Sequence, residues 1–109
     1  MNFNLIKLNK VDSTNNYAVK LLKNKIFSPT IIVSNIQTGG RGRYGNKWIS
    51  LKGNIFMSIF FEINKRLKIN VITKKNCKII KSALCSIIKK KIDINPPNDL
   101  LIDKKKVCG

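Results

Sequence analysis

Apolar and polar positions along this chain predict several short strands. Residues 3–8 alternate as a half-buried strand does, and residues 31–36 form a β-branched apolar run typical of a buried strand. Residues 51–54 read as a turn, and residues 55–63 predict a further strand. Its two faces carry Ile55, Met57, Ile59 and Phe61 on one side and Phe56, Ser58 and Phe60 on the other.

Two segments show helical spacing instead. Asp12, Ser13 and Thr14 are N-cap candidates for a helix that ends within residues 23–29. A second helix is predicted from about residue 70 to residue 91, with the lysine run 89–91 at its C-terminus. Its apolar stripe, opposite a lysine-covered face, comprises Ile72, Ile79, Ile80, Ala83, Leu84, Ile87 and Ile88.

The last part of the chain alternates between short strands and turns. Residues 92–94 and 100–102 predict strands on either side of a proline-containing segment, and a turn at 103–105 leads to a strand at 106–109. The chain then ends without a partner for that strand, which favours an interrupted domain. The pattern as a whole predicts an α/β (α+β) domain.

Composition narrows the class of protein. A chain of 109 residues with 43% hydrophobic residues is long enough for one packed domain and too apolar for general disorder. No apolar run is long enough to cross a bilayer, and the N-terminus does not resemble a signal peptide. We therefore expect a cytoplasmic protein without a membrane partner.

Cysteine and histidine usage excludes several kinds of site. The three cysteines include no CxxC pair, and there is no histidine, which argues against a disulfide framework, a Cys/His zinc site and a histidine-based hydrolase relay. We expect no protein-held metal site. Cys77 and Cys85 are interpreted as small helix residues.

The net charge of +17 permits two interpretations. Phosphate neutralisation by lysine and arginine is the basis of non-specific nucleic-acid binding. However, the excess is mostly lysine and accompanies abundant isoleucine and asparagine, which an A/T-rich genome would produce without selection for binding. Codon bias is the simpler explanation, and in either case the field attracts acidic partners.

A glycine–arginine segment at residues 37–48 holds the strongest functional signal. It contains four of the six glycines, Arg41 and Arg43, and it ends at the only tryptophan, Trp48. Glycine lets backbone N–H groups approach an anion, and arginine matches carboxylate and phosphate oxygens. The segment therefore predicts a loop for a carboxylate and a phosphate. A flexible surface loop or an RGG-like nucleic-acid segment is the alternative.

Two further polar clusters are ambiguous by themselves. Residues 12–15 start the first helix, where a plain N-cap explains one hydroxyl and convergent donors and acceptors for a polar heterocycle are the alternative. Residues 95–99 contain two prolines followed by Asn98 and Asp99, which are equally consistent with an Asx turn.

In this order the three clusters resemble the catalytic domain of the biotin–protein ligases. The residues are Asp-Ser-Thr-Asn at 12–15, Gln-Thr-Gly-Gly-Arg-Gly-Arg-Tyr-Gly-Asn-Lys-Trp at 37–48 and Pro-Asn-Asp-Leu at 97–100, with local agreement at 53–58 and 106–109. The resemblance extends from about residue 3 to the last residue. Lipoate–protein ligases share the fold but lack the Gly-Arg-Gly-Arg string.

The resemblance implies a fold and a reaction. The expected fold is like that of class II aminoacyl-tRNA synthetases and biotin synthetase, a mixed, largely antiparallel sheet with flanking helices. The expected enzyme uses ATP and Mg²⁺ to activate biotin as biotinyl-5′-AMP. It then transfers biotin to a lysine of a biotin carboxyl carrier protein or domain of acetyl-CoA carboxylase.

The resemblance also implies roles for individual residues. Arg41 and Arg43 are the expected catalytic residues, and Asn98 and Asp99 would help to shape the floor of the site. The expected biotin-binding residues are Ser13, Thr14, Asn15, Gln37, Gly40, Arg41, Gly42 and Arg43. The expected ATP-binding residues are Arg43, Trp48 and Asn98.

Two departures qualify these expectations. Asn95 stands where the family has a lysine, so a cation is missing there unless a neighbour such as Lys91 replaces it. We also expect the chain to comprise only part of the catalytic domain, with no N-terminal DNA-binding domain and no specific DNA partner, and to be weakly active or inactive alone. The alternatives are a lipoate or octanoate ligase, a non-catalytic remnant and a small basic nucleic-acid-binding protein. The sequence does not determine the oligomeric state.

Overall fold

A computed structural model describes all 109 residues, which form two compact units. The first unit comprises residues 1–62 and the second comprises residues 63–109. Each unit contains three strands and one α-helix.

The elements of the first unit follow the order predicted from the sequence. They are β1 (Asn4–Val11), α1 (Thr14–Lys23), β2 (Thr30–Gln37), a short 3₁₀ turn (Arg43–Gly45) and β3 (Phe56–Phe60). The second unit contains α2 (Ile69–Cys85), β4 (Asp93–Asn95), β5 (Asp99–Ile102) and β6 (Lys105–Cys108).

The sheet of the first unit is mixed. Its order is β1-β2-β3, with β1 and β2 parallel and β2 and β3 antiparallel. The parallel pair requires a crossover connection, and α1 provides it. In the second unit β4, β5 and β6 form an antiparallel sheet in that order. The prediction that the last strand lacks a partner is wrong, because the turn after β5 folds β6 back onto it. The expectation of a mixed, largely antiparallel fold is therefore confirmed.

The core of the first unit lies between α1 and strands β2 and β3. Ala18, Ile32 and Phe56 are buried there. Two buried hydroxyls keep hydrogen-bond partners, because Thr30 donates to the carbonyl of Ser28 at 2.8 Å and Ser34 donates to the carbonyl of Ile36 at 2.7 Å. The polar side chains of β2 therefore do not destabilise this core.

The core of the second unit forms where α2 packs against the β4–β5–β6 sheet. Cys77, Ile92 and Leu100 are its buried members. The partly buried residues around them are Leu84, Ile94, Ile102 and Cys108. Cys77 is thus a buried helix residue, as predicted, and Cys85 ends the same helix.

The predicted end of α2 is wrong. The helix ends at Cys85, and the hydroxyl of Ser86 donates to the carbonyl of Ala83 at 2.6 Å. Because Ile92 is buried in the core, the chain must leave the helix early enough to bring it there. The lysine run at 89–91 therefore lies beyond the helix, where Lys90 and Lys91 pair with Asp103 and Asp93 at 3.5 and 3.4 Å.

Other differences concern the helix face and the strand ends. Cys77 is the buried residue of α2, whereas Ile79 of the predicted apolar stripe is 65% exposed. Strand β1 extends three residues further than predicted, β3 is shorter, and β4 begins one residue later.

None of the helices is both long enough and apolar enough to span a membrane.

Candidate functional site

The first cluster, residues 12–15, lies between the end of β1 and the first turn of α1. Ser13 is the N-cap, and its hydroxyl accepts the backbone N–H of Asn16 at 3.3 Å. Ser13 and Thr14 are both 4% exposed, whereas Asn15 is exposed on the first helical turn. The cap therefore explains Ser13, as the simpler interpretation predicted, and does not account for Thr14 or Asn15.

Gln37, the last residue of β2, joins this helix terminus to the glycine–arginine loop. Its side-chain oxygen accepts the backbone N–H of Thr14 at 3.0 Å and the hydroxyl of Thr14 at 3.4 Å. Its side-chain nitrogen donates to the hydroxyl of Ser50 at 3.2 Å. The hydroxyls of Thr14 and Ser58 lie 2.8 Å apart, which extends the network to β3.

The loop after β2 is folded back on itself as a small hairpin. Arg41 and Lys47 form an antiparallel bridge, and the N–H of Trp48 donates to the carbonyl of Gly40 at 2.9 Å. Inside that bridge the N–H of Gly42 donates to the carbonyl of Asn46 at 2.6 Å. The segment is thus folded as a hairpin rather than extended.

Gly40 is buried at the base of this hairpin. A Cβ atom there would lie 2.7 Å from the side-chain nitrogen of Gln37, 2.7 Å from the hydroxyl of Ser50 and 3.0 Å from the carbonyl oxygen of Trp48. Real Cβ contacts are essentially never shorter than 3.0 Å. A side chain at position 40 would therefore require Gln37 and Ser50 to move.

Arg41 is held by the first turn of α1. Its guanidinium donates to the side-chain oxygen of Asn16, and the side-chain nitrogen of Asn16 donates to the carboxylate of Asp12 at 2.9 Å. The hydrogen bond from Asn16, followed by that from the backbone of Ser13, holds the pKa of the Asp12 carboxyl below its usual value. An ionised carboxylate and a guanidinium thus share one neutral amide.

Arg43 and Tyr44 form the exposed tip of the hairpin. The guanidinium carbon of Arg43 lies 5.3 Å from the ring centroid of Tyr44, a cation–π distance. Tyr44 has a positive φ of 58°, and Gly45 follows with a φ of 75°, which reverses the chain. Trp48, at the other end of the loop, is 38% exposed. Its indole therefore presents surface to solvent.

The third cluster, residues 95–99, belongs to the second unit. Asn95 and Asp99 are paired across the β4–β5 hairpin, with residues 96–98 as the connecting turn. Asn95 is exposed and Asn98 is partly buried. The carboxylate of Asp99 pairs with the ammonium of Lys106 at 2.9 Å. Lys91 pairs with Asp93 at the other end of β4, so Lys106 is the cation that contacts Asp99.

The structure adds four residues that sequence reasoning missed. Within the first unit it brings Thr14, Gln37, Gly40 and Arg41 together through Ser50, Ser58 and Asn16. Ser58 had a usable signal, since it is the polar position on the otherwise apolar Phe56–Phe60 face of β3. Asn16, Ser50 and Lys106 had none, because each one's role depends on a partner distant in sequence or across a hairpin.

Metal ligands are sparse. No group of three or more Asp, Glu, Cys or His side chains is close enough to hold a metal ion. Any cation at this site would therefore take most of its ligands from water or from a bound substrate.

Comparison with known proteins gives a consistent result. The chain matches the biotin/lipoate A/B protein ligase family over residues 8–109. It is 31% identical to the bifunctional ligase/repressor BirA of Bacillus spizizenii over 117 aligned positions, and 27% identical to that of Escherichia coli over 104. It spans about a third of those relatives, 34% and 31% of their respective lengths.

Solved structures show the same fold. The biotin protein ligase of Aquifex aeolicus, in complex with biotin and ATP, is 33% identical, with a TM-score of 0.73 over 95% of this chain and 44% of its own. The Helicobacter pylori biotin acetyl coenzyme A carboxylase synthetase, with bound biotinylated ATP, is 24% identical. Its TM-score is 0.87 over 97% of this chain and 52% of that chain.

These matches confirm the fold expected from the three sequence clusters. The family match includes both the glycine–arginine hairpin and the Asn95–Asp99 hairpin, and it extends over nearly the whole sequence. The chain therefore belongs to the biotin/lipoate A/B protein ligase family.

Proposed function

We propose that this chain provides the biotin- and adenylate-binding part of a biotin–protein ligase. In the proposed reaction ATP activates the biotin carboxylate as biotinyl-5′-AMP with release of pyrophosphate. A lysine of a biotin carboxyl carrier protein then attacks the mixed anhydride, and AMP leaves. The main support is the contact that ties Arg41 to the first turn of α1, beside Thr14 and Gln37.

The proposed reaction brings a carboxylate and a phosphate together although they repel each other. Fixed cations and N–H donors around both anions lower that repulsion and stabilise the charge that develops in the transition state. Arg41 and Arg43 are the proposed catalytic residues because both guanidinium groups lie on the ordered hairpin. Arginine has five donors in a planar fork, so one contact to protein leaves others for substrate oxygens.

For the uncharged part of biotin we propose Ser13, Thr14, Asn15 and Gln37. The exposed amide of Asn15 offers a donor and an acceptor, the pair that a ureido ring requires. Thr14 and Gln37 already bond each other, which holds both at defined positions before a ligand arrives. Gly40 and Gly42 are proposed to let the loop backbone approach the ligand closely.

For ATP we propose Arg43 and Trp48 in the first unit and, separately, Asn98 in the second. A partly exposed indole suits stacking on adenine, and the amide of Asn98 suits a polar contact. Lys106 supplies a cation to the hairpin where Asn95 replaces the expected lysine. Because the chain has five acidic residues and no cluster of them, Mg²⁺ would be bound mainly through ATP phosphates.

The test is ligand binding by the purified chain, which separates binding from turnover. Trp48 is the only tryptophan, so its fluorescence reports directly on the loop, and calorimetry gives the affinity. We expect binding of biotin and tighter binding of biotinyl-5′-AMP. Arg41→Ala should weaken the adenylate complex by roughly a hundredfold, whereas Lys47→Ala removes a charge from the same hairpin with little effect.

Turnover is measured as pyrophosphate release from ATP in the presence of biotin. We expect Arg41→Ala to abolish whatever release the chain or a completed protein supports. Wild-type release by that variant would overturn the assignment of the loop. Salt-dependent DNA or RNA binding that is lost in Arg41→Ala/Arg43→Ala and indifferent to biotin would instead favour a nucleic-acid-binding protein.

Lipoate is the second candidate substrate, because the family description includes lipoate ligases. Its dithiolane ring cannot form the hydrogen bonds of a ureido group, so Thr14, Asn15 and Gln37 favour biotin. Calorimetry with lipoate and biotin at equal concentrations distinguishes them. Tighter binding of lipoate would replace biotin as the proposed substrate.

A further inference from the structure

The amide of Asn16 is the one group that contacts both Asp12 and Arg41. We propose that Asn16 is a positioning residue, which fixes the direction of the Arg41 guanidinium while leaving its charge available to a bound carboxylate or phosphate. This inference rests on the proposed function, and it assigns to Asn16 a role separate from the ligand contacts of Ser13, Thr14 and Asn15.

The orientation of Asn16 is fixed from two sides. Its backbone N–H donates to the N-cap hydroxyl of Ser13 at 3.3 Å, which holds the residue in the first turn of α1. Its side-chain nitrogen donates to Asp12 at 2.9 Å. Since the amide nitrogen is engaged by a carboxylate, the amide oxygen must point the other way, and there it accepts from Arg41.

A neutral amide has an electrostatic advantage at this place. A carboxylate in direct contact with Arg41 would compete with the anionic ligand for the guanidinium. Asparagine accepts a hydrogen bond from Arg41 without adding charge, and it keeps the Asp12 carboxylate one amide further away. The charge-assisted bonds of Arg41 therefore stay available to substrate oxygens, for which they are strongest.

Backbone hydrogen bonds also connect the two ends of the Asp12–Asn16–Arg41 relay, by which we mean the side-chain hydrogen bonds that join these three residues. The N–H of Gly39 donates to the carbonyl of Asp12 at 2.6 Å, and the N–H of Thr38 donates to the carbonyl of Val11 at 3.0 Å. The start of the glycine–arginine loop is thus bonded to the segment that bears Asp12. Asn16 therefore contacts Arg41 between two segments that are already hydrogen-bonded to each other.

The experiment is a double-mutant cycle with biotinyl-5′-AMP as the probe. We expect Asn16→Ala to weaken binding roughly tenfold in the wild-type background and less than about twofold in the Arg41→Ala background, because the effect passes through Arg41. Asn16→Asp should weaken binding more than Asn16→Ala, since it places a charge beside Arg41. Biotin methyl ester, which has no carboxylate, should respond to neither variant. Asn76→Ala, an exposed helical asparagine in α2, is the control.

Two outcomes overturn the inference. One is an equal loss from Asn16→Ala with and without Arg41. The other is found without ligand, by titrating the Asp12 carboxyl with NMR. Asn16→Ala should raise the pKa of Asp12 towards its usual value, and an unchanged pKa would show that the relay does not exist. If the wild-type chain bound neither biotin nor biotinyl-5′-AMP, the proposed function would fail, and the titration would still decide whether Asn16 bonds Asp12.

Discussion

The side-chain oxygen of Gln37 accepts the backbone N–H of Thr14 at 3.0 Å, so the end of β2 is bonded to the beginning of α1. The free N–H groups of a helix N-terminus need acceptors, and here a residue 23 positions away supplies one. The same Gln37 also bonds Ser50, on the far side of the hairpin. One side chain therefore connects two of the polar clusters.

Replacing Gln37 should destabilise the protein. Gln37→Ala leaves the Thr14 N–H without its acceptor, whereas the Ser50 hydroxyl keeps its bond to the carbonyl of Trp48, and we expect a loss of about 1–3 kcal/mol. Urea unfolding followed by circular dichroism measures this, with Asn35→Ala on the exposed face of β2 as the control. Equal stability of the two variants would mean that the Gln37 bonds contribute nothing.

Gly40→Ala should disrupt the base of the hairpin. The new Cβ would contact Gln37 and Ser50 at 2.7 Å, and these groups must move to admit it. We expect a loss of stability of about 1–3 kcal/mol and at least roughly tenfold weaker biotin binding. Gly39→Ala is the matched control, since its Cβ would lie 3.4 Å from the carbonyl of Asp12, an ordinary contact. Biotin affinity that was the same in both variants would contradict this account of the loop.

A lysine at position 95 should be able to replace Lys106 as the ion-pair partner of Asp99. Lys106→Ala removes the cation from the hairpin, and we expect up to about 1 kcal/mol lower stability and weaker binding of biotinyl-5′-AMP. Because Asn95 is paired with Asp99 across the hairpin, a lysine there can reach the same carboxylate. Asn95→Lys in the Lys106→Ala background should recover part of the affinity, measured by calorimetry.

Lys105→Ala is the control for that experiment, since it removes an exposed charge from the same strand. Failure of the lysine at 95 to recover any affinity would show that the position of the cation matters, and not only its presence.

The three cysteines should differ in reactivity. Cys85 is exposed, Cys77 is buried, and burial raises the pKa of the Cys108 thiol above its ordinary value of 9.0. The thiolate is the reactive form, so iodoacetamide at pH 8 should modify Cys85 first and Cys108 at least roughly tenfold more slowly. Peptide mass spectrometry over a time course measures each rate. Modification of Cys77 before Cys85 would contradict the packing of the second core.

The same raised pKa determines a pH effect on stability. Above pH 9.0 the unfolded chain loses the Cys108 proton, whereas the folded chain keeps it to a higher pH. The folded state then binds more protons, so the free energy of unfolding should fall as pH rises beyond 9.0. Cys108→Ala should show a smaller decline in urea unfolding at pH 9 to 10.

Local sequence determined much of this protein. The N-cap at Ser13, the strands around residues 31–36 and 55–63, and the glycine–arginine segment follow from residue types at short spacing, and so does the family. The end of α2 did not, because lysines and isoleucines continue the helical pattern past Cys85. Only burial of Ile92 beside Leu100 requires the chain to leave the helix.

The sequence by itself predicted a loop for two anions at residues 37–48, since glycine and arginine have that chemistry wherever they lie. Tertiary structure alone decided how the loop is held. Asn16 meets Arg41, Gln37 meets Thr14, and Lys106 meets Asp99 only after the strands are paired and α1 is packed. A hydrogen bond depends on a distance of about 3 Å between two atoms, and spacing along the chain does not set that distance for residues far apart.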